Sequence, residues 1–146
     1  MIRTCSHCGA KNRIAPANLH RMGRCGSCKQ SLGPVDAPLD VGAEAFDAIL
    51  REATVPVLAD FWAPWCGPCK MAGPEVARAA AAMAGEAIVL KVNTEQHPAL
   101  SARYGVRSIP YFAVFSDGQM AWSQPGLMRA AQLEAQCRAA TQTMTR

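Results

Sequence analysis

The sequence has no uninterrupted apolar stretch long enough to cross a bilayer as a helix, so no membrane span is expected. Its first residues, Met1-Ile2-Arg3-Thr4-Cys5-Ser6-His7-Cys8, lack the apolar core of a signal peptide. A cytoplasmic location, where thiols stay reduced, is the expectation that follows. Residues 1–33 contain no Asp, Glu, Phe, Tyr or Trp. A segment so short of large apolar side chains cannot bury enough surface to fold unaided. It needs another source of order.

That source is cysteine. Six of the seven cysteines fall into three Cys-x-x-Cys pairs, at Cys5/Cys8, Cys25/Cys28 and Cys66/Cys69. In a cytosolic chain such pairs point to metal binding and redox chemistry, not to a structural disulfide framework. The seventh, Cys137, stands four residues after Leu133 and is expected to pack as a small apolar residue of a helix.

Composition changes near Gly33-Pro34, which divides the chain into a finger at 1–33, a short stiffened linker at 34–40 and a larger domain at 41–146. Charge divides it similarly. The finger carries Arg3, Lys11, Arg13, Arg21, Arg24 and Lys29 without any acid, whereas the remainder holds nine basic residues against eleven acids. Basic segments of this kind can mark nucleic-acid binding. Four thiolates on one Zn²⁺ would carry a local charge of −2, however, which the same residues would offset. With no aromatic interleaving in the finger, nucleic acid is not the expected partner.

Within the finger, two Cys-x-x-Cys pairs separated by sixteen residues match the paired-knuckle pattern of a structural zinc site. Each knuckle supplies two thiolates, and four soft sulfur ligands suit a tetrahedral ion. Gly9 and Gly26 permit the tight turns that aim the sulfurs inward. Two disulfides or an iron–sulfur cluster would use the same four residues. The missing signal argues against the first, and the two tight pairs resemble a zinc knuckle more than a cluster site. Cys5, Cys8, Cys25 and Cys28 are thus the expected ligands of one structural zinc ion, with His7 and His20 left as surface histidines.

Beyond the linker the pattern alternates. Helical spacing marks 43–51, a nearly continuous apolar run marks a buried strand at 57–62, and a helix follows at 66–84 with Pro74 expected to kink it. A strand at 88–92, a short helix at 98–104, strands at 111–115 and 119–123 around Ser116-Asp117-Gly118, and a last helix at 129–140 complete the order. This predicts an α/β fold with a mixed central sheet flanked by helices.

Cys66 and Cys69 lie where the 57–62 strand gives way to a helix. Unpaired N–H groups and the helix dipole stabilise a thiolate there. A second thiol three residues on can resolve any mixed disulfide the first one forms. Asp60, an acid inside an apolar strand, should have its pKa raised by burial and become competent to exchange a proton near neutral pH.

The constellation Asp60-Phe61-Trp62-Ala63-Pro64-Trp65-Cys66-Gly67-Pro68-Cys69-Lys70, with Pro74, Lys91, Ile109-Pro110 and Gly126, resembles thioredoxin over residues 35–146. With the four-cysteine finger, the chain is similar to the zinc-containing thioredoxin 2 subgroup. The resemblance implies a thioredoxin fold and a protein-disulfide reductase. Cys66 would be the nucleophile and more exposed thiol, Cys69 the resolving thiol, and the two would form the redox disulfide. Asp60 would transfer a proton and Lys91 would be its partner. Pro110 would be cis, with the Ile109 backbone free to bond an extended substrate. Trp65, Gly67, Pro68 and Gly126 would complete the substrate surface, while Trp62 would belong to the core. Disulfide-containing proteins would be substrates, and an NADPH-dependent thioredoxin reductase would reset the dithiol. A redox-inactive binding module, or a sensor that loses zinc on oxidation, are the competing readings. The intact dithiol argues against the first.

Overall fold

The computed structural model describes residues 1–144; the last two residues assigned to the 41–146 domain lie outside the described residues. Strand β1 (Ile2–Thr4) pairs antiparallel with β2 (Lys11–Arg13), and β3 (Gly23–Arg24) with β4 (Ser31–Leu32), giving two small hairpins. A 3₁₀ turn at Pro16–Asn18 joins them. Both hairpin tips are built the same way. Cys5 N–H bonds Ala10 O at 2.8 Å and Gly9 N–H bonds Cys5 O at 2.9 Å. In the second tip, Cys25 N–H bonds Gln30 O at 2.9 Å and Lys29 N–H bonds Cys25 O at 3.0 Å. Gly9 (φ 77°) and Lys29 (φ 64°) reverse the chain in the left-handed region.

The larger unit is a five-stranded mixed sheet in the order β5-β7-β6-β8-β9. It runs through β5 (Leu39–Asp40), α1 (Ala43–Glu52), β6 (Val57–Trp62), α2 (Gly67–Ala82), β7 (Ile88–Asn93), α3 (Pro98–Arg103), β8 (Tyr111–Ser116), β9 (Gln119–Pro125) and α4 (Ala130–Met144). Strands β5, β7 and β6 are parallel, while β8 and β9 form an antiparallel hairpin on the other side of β6. Asp117 (φ 52°) and Gly118 (φ 79°) both have the positive φ that a two-residue hairpin loop demands. Helix α2 continues through Pro74.

Alternation along β6 separates two cores. Val57, Ala59 and Phe61 face α1, packing with Phe46, Ile49 and Leu100. Leu58 faces α2 and α4, packing with Val76, Ala79, Leu133 and Cys137. Phe46, Phe61, Tyr104 and Phe115 form a ring cluster with centroid separations of 5.2–6.4 Å, within the favourable range for aromatic pairs.

Three features differ from the sequence-based expectation. The expected linker at 34–40 is not free chain: Val35 is buried in the α1-side core, and Leu39–Asp40 are an edge strand paired with β7. A two-residue strand is too short to leave a periodic signature. The finger also reaches into the main core through Leu19, which is fully buried with Phe46 and Val35. Its carbonyl accepts from Val35 N–H at 2.9 Å. The segment that cannot build a core of its own thus borrows one. His20, expected at the surface, is half-buried beside Leu19, with Nε2 3.4 Å from Thr54 Oγ1. Its Nδ1 is buried without a protein partner. Burial, aided by Arg21, lowers its pKa.

Candidate active site and metal centre

Strand β6 ends at Trp62, and α2 begins one residue after Cys66, the N-cap. Pro68 occupies the first turn, where its missing N–H costs nothing and its fixed φ suits the helix. Cys66 and Cys69 are joined as a disulfide. Cys69 N–H donates to Cys66 Sγ at 3.2 Å. The same sulfur lies 3.7 Å from the carbonyl oxygen of Ile109, and the Ile109–Pro110 peptide is cis. Ala63, Trp62 and Ile109 pack around the pair. Cys66, expected to be the more exposed of the two, is 4% exposed and Cys69 6%. The packed loop and the closed disulfide cover both.

Large exposed apolar side chains occur in the segments that flank the pair and the cis-proline loop. Trp65 is 67% exposed, and Met71 and Leu127 are also large exposed hydrophobics. Gly67 and Pro68 are exposed, as is Gly126, whose φ is 100° and whose N–H bonds Pro110 O at 2.8 Å. Met71 and Leu127 are not among the residues the sequence points to. The available signal is position: Met71 is two residues into α2 after Cys69, and Leu127 directly follows Gly126.

Asp60 shares the face of β6 that Leu58 presents to α2, the helix carrying Cys69. It is 1% exposed, and its Oδ1 has no hydrogen-bond partner. Burial, partly opposed by the positive charge of Lys91, lifts its carboxyl to about 7. Lys91 is its cross-strand neighbour on β7. Among the described residues no ion pair joins the two, and Lys91 Nζ lies 4.7 Å from the ring centroid of Trp62. Trp62 is half-buried, under that ammonium, and not an interior core residue. A polar recess beside it, lined by Asp40, Lys91, Asn93 and His97, opens at the carboxyl ends of β5 and β7.

The other four paired cysteines converge at the two hairpin tips, with their Sγ atoms all within 4.8 Å of one another. Cys5 and Cys28 sulfurs are 3.7 Å apart, and those of Cys8 and Cys25 3.6 Å apart. An ion with Zn–S bonds of about 2.3 Å at the centre of a tetrahedron has sulfur–sulfur edges of about 3.8 Å. The donor set therefore fits a tetrahedral thiophilic ion. The N–H of Cys28, the Asn12 amide and the N–H of Ser27 pull the Cys25 thiol down to about 6. Against the N–H of Gln30, which lowers it, burial and the neighbouring sulfurs push Cys28 up to about 11. One thiolate in the cluster makes the next costly until a cation compensates it. Neither His7 nor His20 belongs to the cluster.

A helix N-terminus that holds two redox-paired cysteines over a buried acid, on a mixed sheet, defines a thiol–disulfide oxidoreductase. The sequence profile of the Thioredoxin family matches residues 37–139. The chain is 37% identical to thioredoxin C-3 of Corynebacterium nephridii over 92% of its own length and 91% of that protein, an alignment long enough to reach into the finger. It is 45% identical to thioredoxin 1 of Synechococcus elongatus, over 56% of this chain and 79% of that one. Among solved structures, a single-substitution mutant thioredoxin from Halobacterium salinarum NRC-1 superposes with a TM-score of 0.67 at 34% identity, covering 73% of this chain and 92% of that one. The chain belongs to the thioredoxin family.

Proposed function

We propose that this chain is a zinc-containing thioredoxin of the thioredoxin 2 type, working in the cytoplasm as a reductant of disulfides in other proteins. In the reduced state Cys66 thiolate attacks a substrate disulfide, forms a mixed disulfide and releases one substrate thiolate. Cys69 then gives its proton to Asp60 and attacks Cys66 Sγ. The Cys66–Cys69 bond closes, and the second substrate thiolate leaves and takes up a proton. Two electrons have passed to the substrate. The Cys69 N–H aimed at Cys66 Sγ, 3.2 Å away, carries this assignment, because it stabilises negative charge on the first thiol and not on the second.

Lys91 acts on Asp60 by charge, without a contact. Trp65, Gly67, Pro68, Ile109, Pro110 and Gly126 form the docking surface, to which Met71 and Leu127 add apolar area. An NADPH-dependent thioredoxin reductase resets the dithiol. Cys5, Cys8, Cys25 and Cys28 hold one structural zinc ion, which leaves no open coordination position for substrate. Residues 1–33 are the metal-ordered finger and the rest the redox domain. Insulin reduction coupled to NADPH and a thioredoxin reductase tests the reading. Cys66→Ser should abolish turnover, whereas Cys69→Ser should accumulate mixed disulfides that dithiothreitol releases. Full activity in Cys66→Ser would refute it.

A further inference from the structure

The finger holds a second concave site, away from the sulfur cluster. Four arginines from separate segments, Arg3 on β1, Arg13 on β2, Arg21 after the 3₁₀ turn and Arg24 on β3, line one cavity of about 400 Å³ whose other walls include Ile14 and Leu32. That volume lies in the range of small-molecule sites, about 300–1,000 Å³. Arg13, Arg21 and Arg24 are exposed, and among the described residues none of the four is in an ion pair. Arg3 is held in place by Nη1 donating to Gly33 O at 2.5 Å. The rest of the finger supplies no carboxylate to neutralise them.

Charge compensation for the metal centre does not require that four guanidinium groups share one cavity. Ile14 and Leu32 also pack on Cys5 and Cys25, so an apolar layer lies between the cavity and the sulfurs. Four like charges converging on one concavity repel one another, and an anion within it would relieve that repulsion. Guanidinium forks match carboxylate and phosphate oxygens in pairs. A carboxylate brings two oxygens per residue and a backbone with further polar atoms to satisfy. An oligophosphate brings several oxygens on each of a few adjacent centres, which four converging forks can share. Nucleic acid fits less well, because the finger has no aromatic ring on which a base could stack.

We propose that the cavity bounded by Arg3, Arg13, Arg21 and Arg24 binds a compact oligophosphate, either free or as the phosphate chain of a nucleotide. Calorimetric titration of the full-length, metal-replete chain with inorganic triphosphate at about 50 and 200 mM salt tests it. One site per chain is expected, weaker at the higher salt. Replacing Arg13→Gln together with Arg24→Gln should weaken binding by about tenfold or more, since each removes charge-assisted hydrogen bonds. Replacing Lys11→Gln together with Arg51→Gln removes the same charge outside the cavity and should change binding by less than about twofold. A matched titration with ATP separates the sources: equal affinity means the phosphate chain alone is read, and tighter ATP binding means a nucleotide is the ligand. Both outcomes support the site. Absence of saturable binding would overturn the proposal, as would equal losses in the two double variants. Tighter binding of a hexaglutamate peptide or a short single-stranded DNA would overturn it too. So would loss of metal during the titration, which would place the ligand's action at the sulfurs.

Discussion

Cys25-Gly26-Ser27-Cys28-Lys29 and Cys66-Gly67-Pro68-Cys69-Lys70 differ at one position, yet they fold differently. In the first, Lys29 turns left-handed (φ 64°) and the chain returns as β4. The two sulfurs stay apart and face a second knuckle. In the second, Lys70 continues α2, with its N–H bonded to Cys66 O at 3.3 Å, and the two sulfurs bond to each other. Ser27 and Pro68 contribute to the divergence. Ser27 N–H donates to Cys25 Sγ at 3.4 Å, whereas Pro68 has no N–H and fits the first helical turn. The larger cause is what each pentapeptide joins: two short antiparallel strands in one case, a buried strand and a sixteen-residue helix in the other. A short motif here acquires its chemistry from its flanks.

The sharpest separation of the two regions is metal against redox. Cys8→Ala or Cys25→Ala should lose one zinc per chain by metal analysis, and Cys66→Ala with Cys69→Ala should lose none. Structural zinc sites of this kind contribute about 10–16 kcal/mol of binding energy at neutral pH, so this is the largest effect expected. Retention of zinc in Cys25→Ala would remove the distinction between the two motifs.

Much of that distinction is legible in the sequence. The buried run 57–62 coincides with β6, and the turn at Ser116-Asp117-Gly118 joins β8 to β9. Long periodic segments and positive-φ turns write themselves into sequence. Contacts made by single residues do not. Leu19 lies in a segment with no apolar period, so its burial under α1 depends on where the finger docks. Asp40 and Leu39 pair with β7 over two residues, too few to show alternation. The covering of Cys66 comes from Ile109, forty-three residues away. Met71 and Leu127 stand out only once the fold leaves them uncovered and brings them to one recess.

A further effect belongs to the buried acid, which the redox region has and the finger lacks. In the folded chain Asp60 titrates near 7, from burial opposed by Lys91, against 3.8 for an ordinary aspartate. Between those values the folded state keeps a proton that the unfolded state has lost. Stability therefore falls as pH rises through that window and is level above it. The cost above pH 7 is about 4 kcal/mol. Asp60→Asn should raise the urea stability of the oxidised protein by about 2–4 kcal/mol at pH 8, with little gain at pH 4. Equal gains at both values would show that the carboxyl titrates normally.

Leu19→Ala probes the joint between the two regions. Removing a fully buried leucine from a shared core typically costs about 2–5 kcal/mol. The loss should appear in the unfolding of the redox domain, although Leu19 lies in the finger, and zinc content should hold because the four sulfurs are untouched. Hydrogen exchange at α1 and at residues 34–40 should quicken. If stability were unchanged, the finger would be an independent attachment.

Pro68→Ser makes the two pentapeptides identical and has the smallest expected effect. The flanks should still hold α2 and the disulfide in place, because a serine is tolerated in a first helical turn. The new backbone N–H stands in the position from which Ser27 N–H donates to Cys25 Sγ, so it gives the Cys66 sulfur a second donor besides Cys69 N–H. A bond of that kind is worth about 1 kcal/mol and favours the thiolate, hence the reduced state. The dithiol should become more oxidising by about 20 mV, measured by equilibration with glutathione. Insulin reduction should slow without stopping, and no second zinc should be taken up. Uptake of a second metal ion would show that proline, and not the flanking strand and helix, keeps this pair from becoming a knuckle.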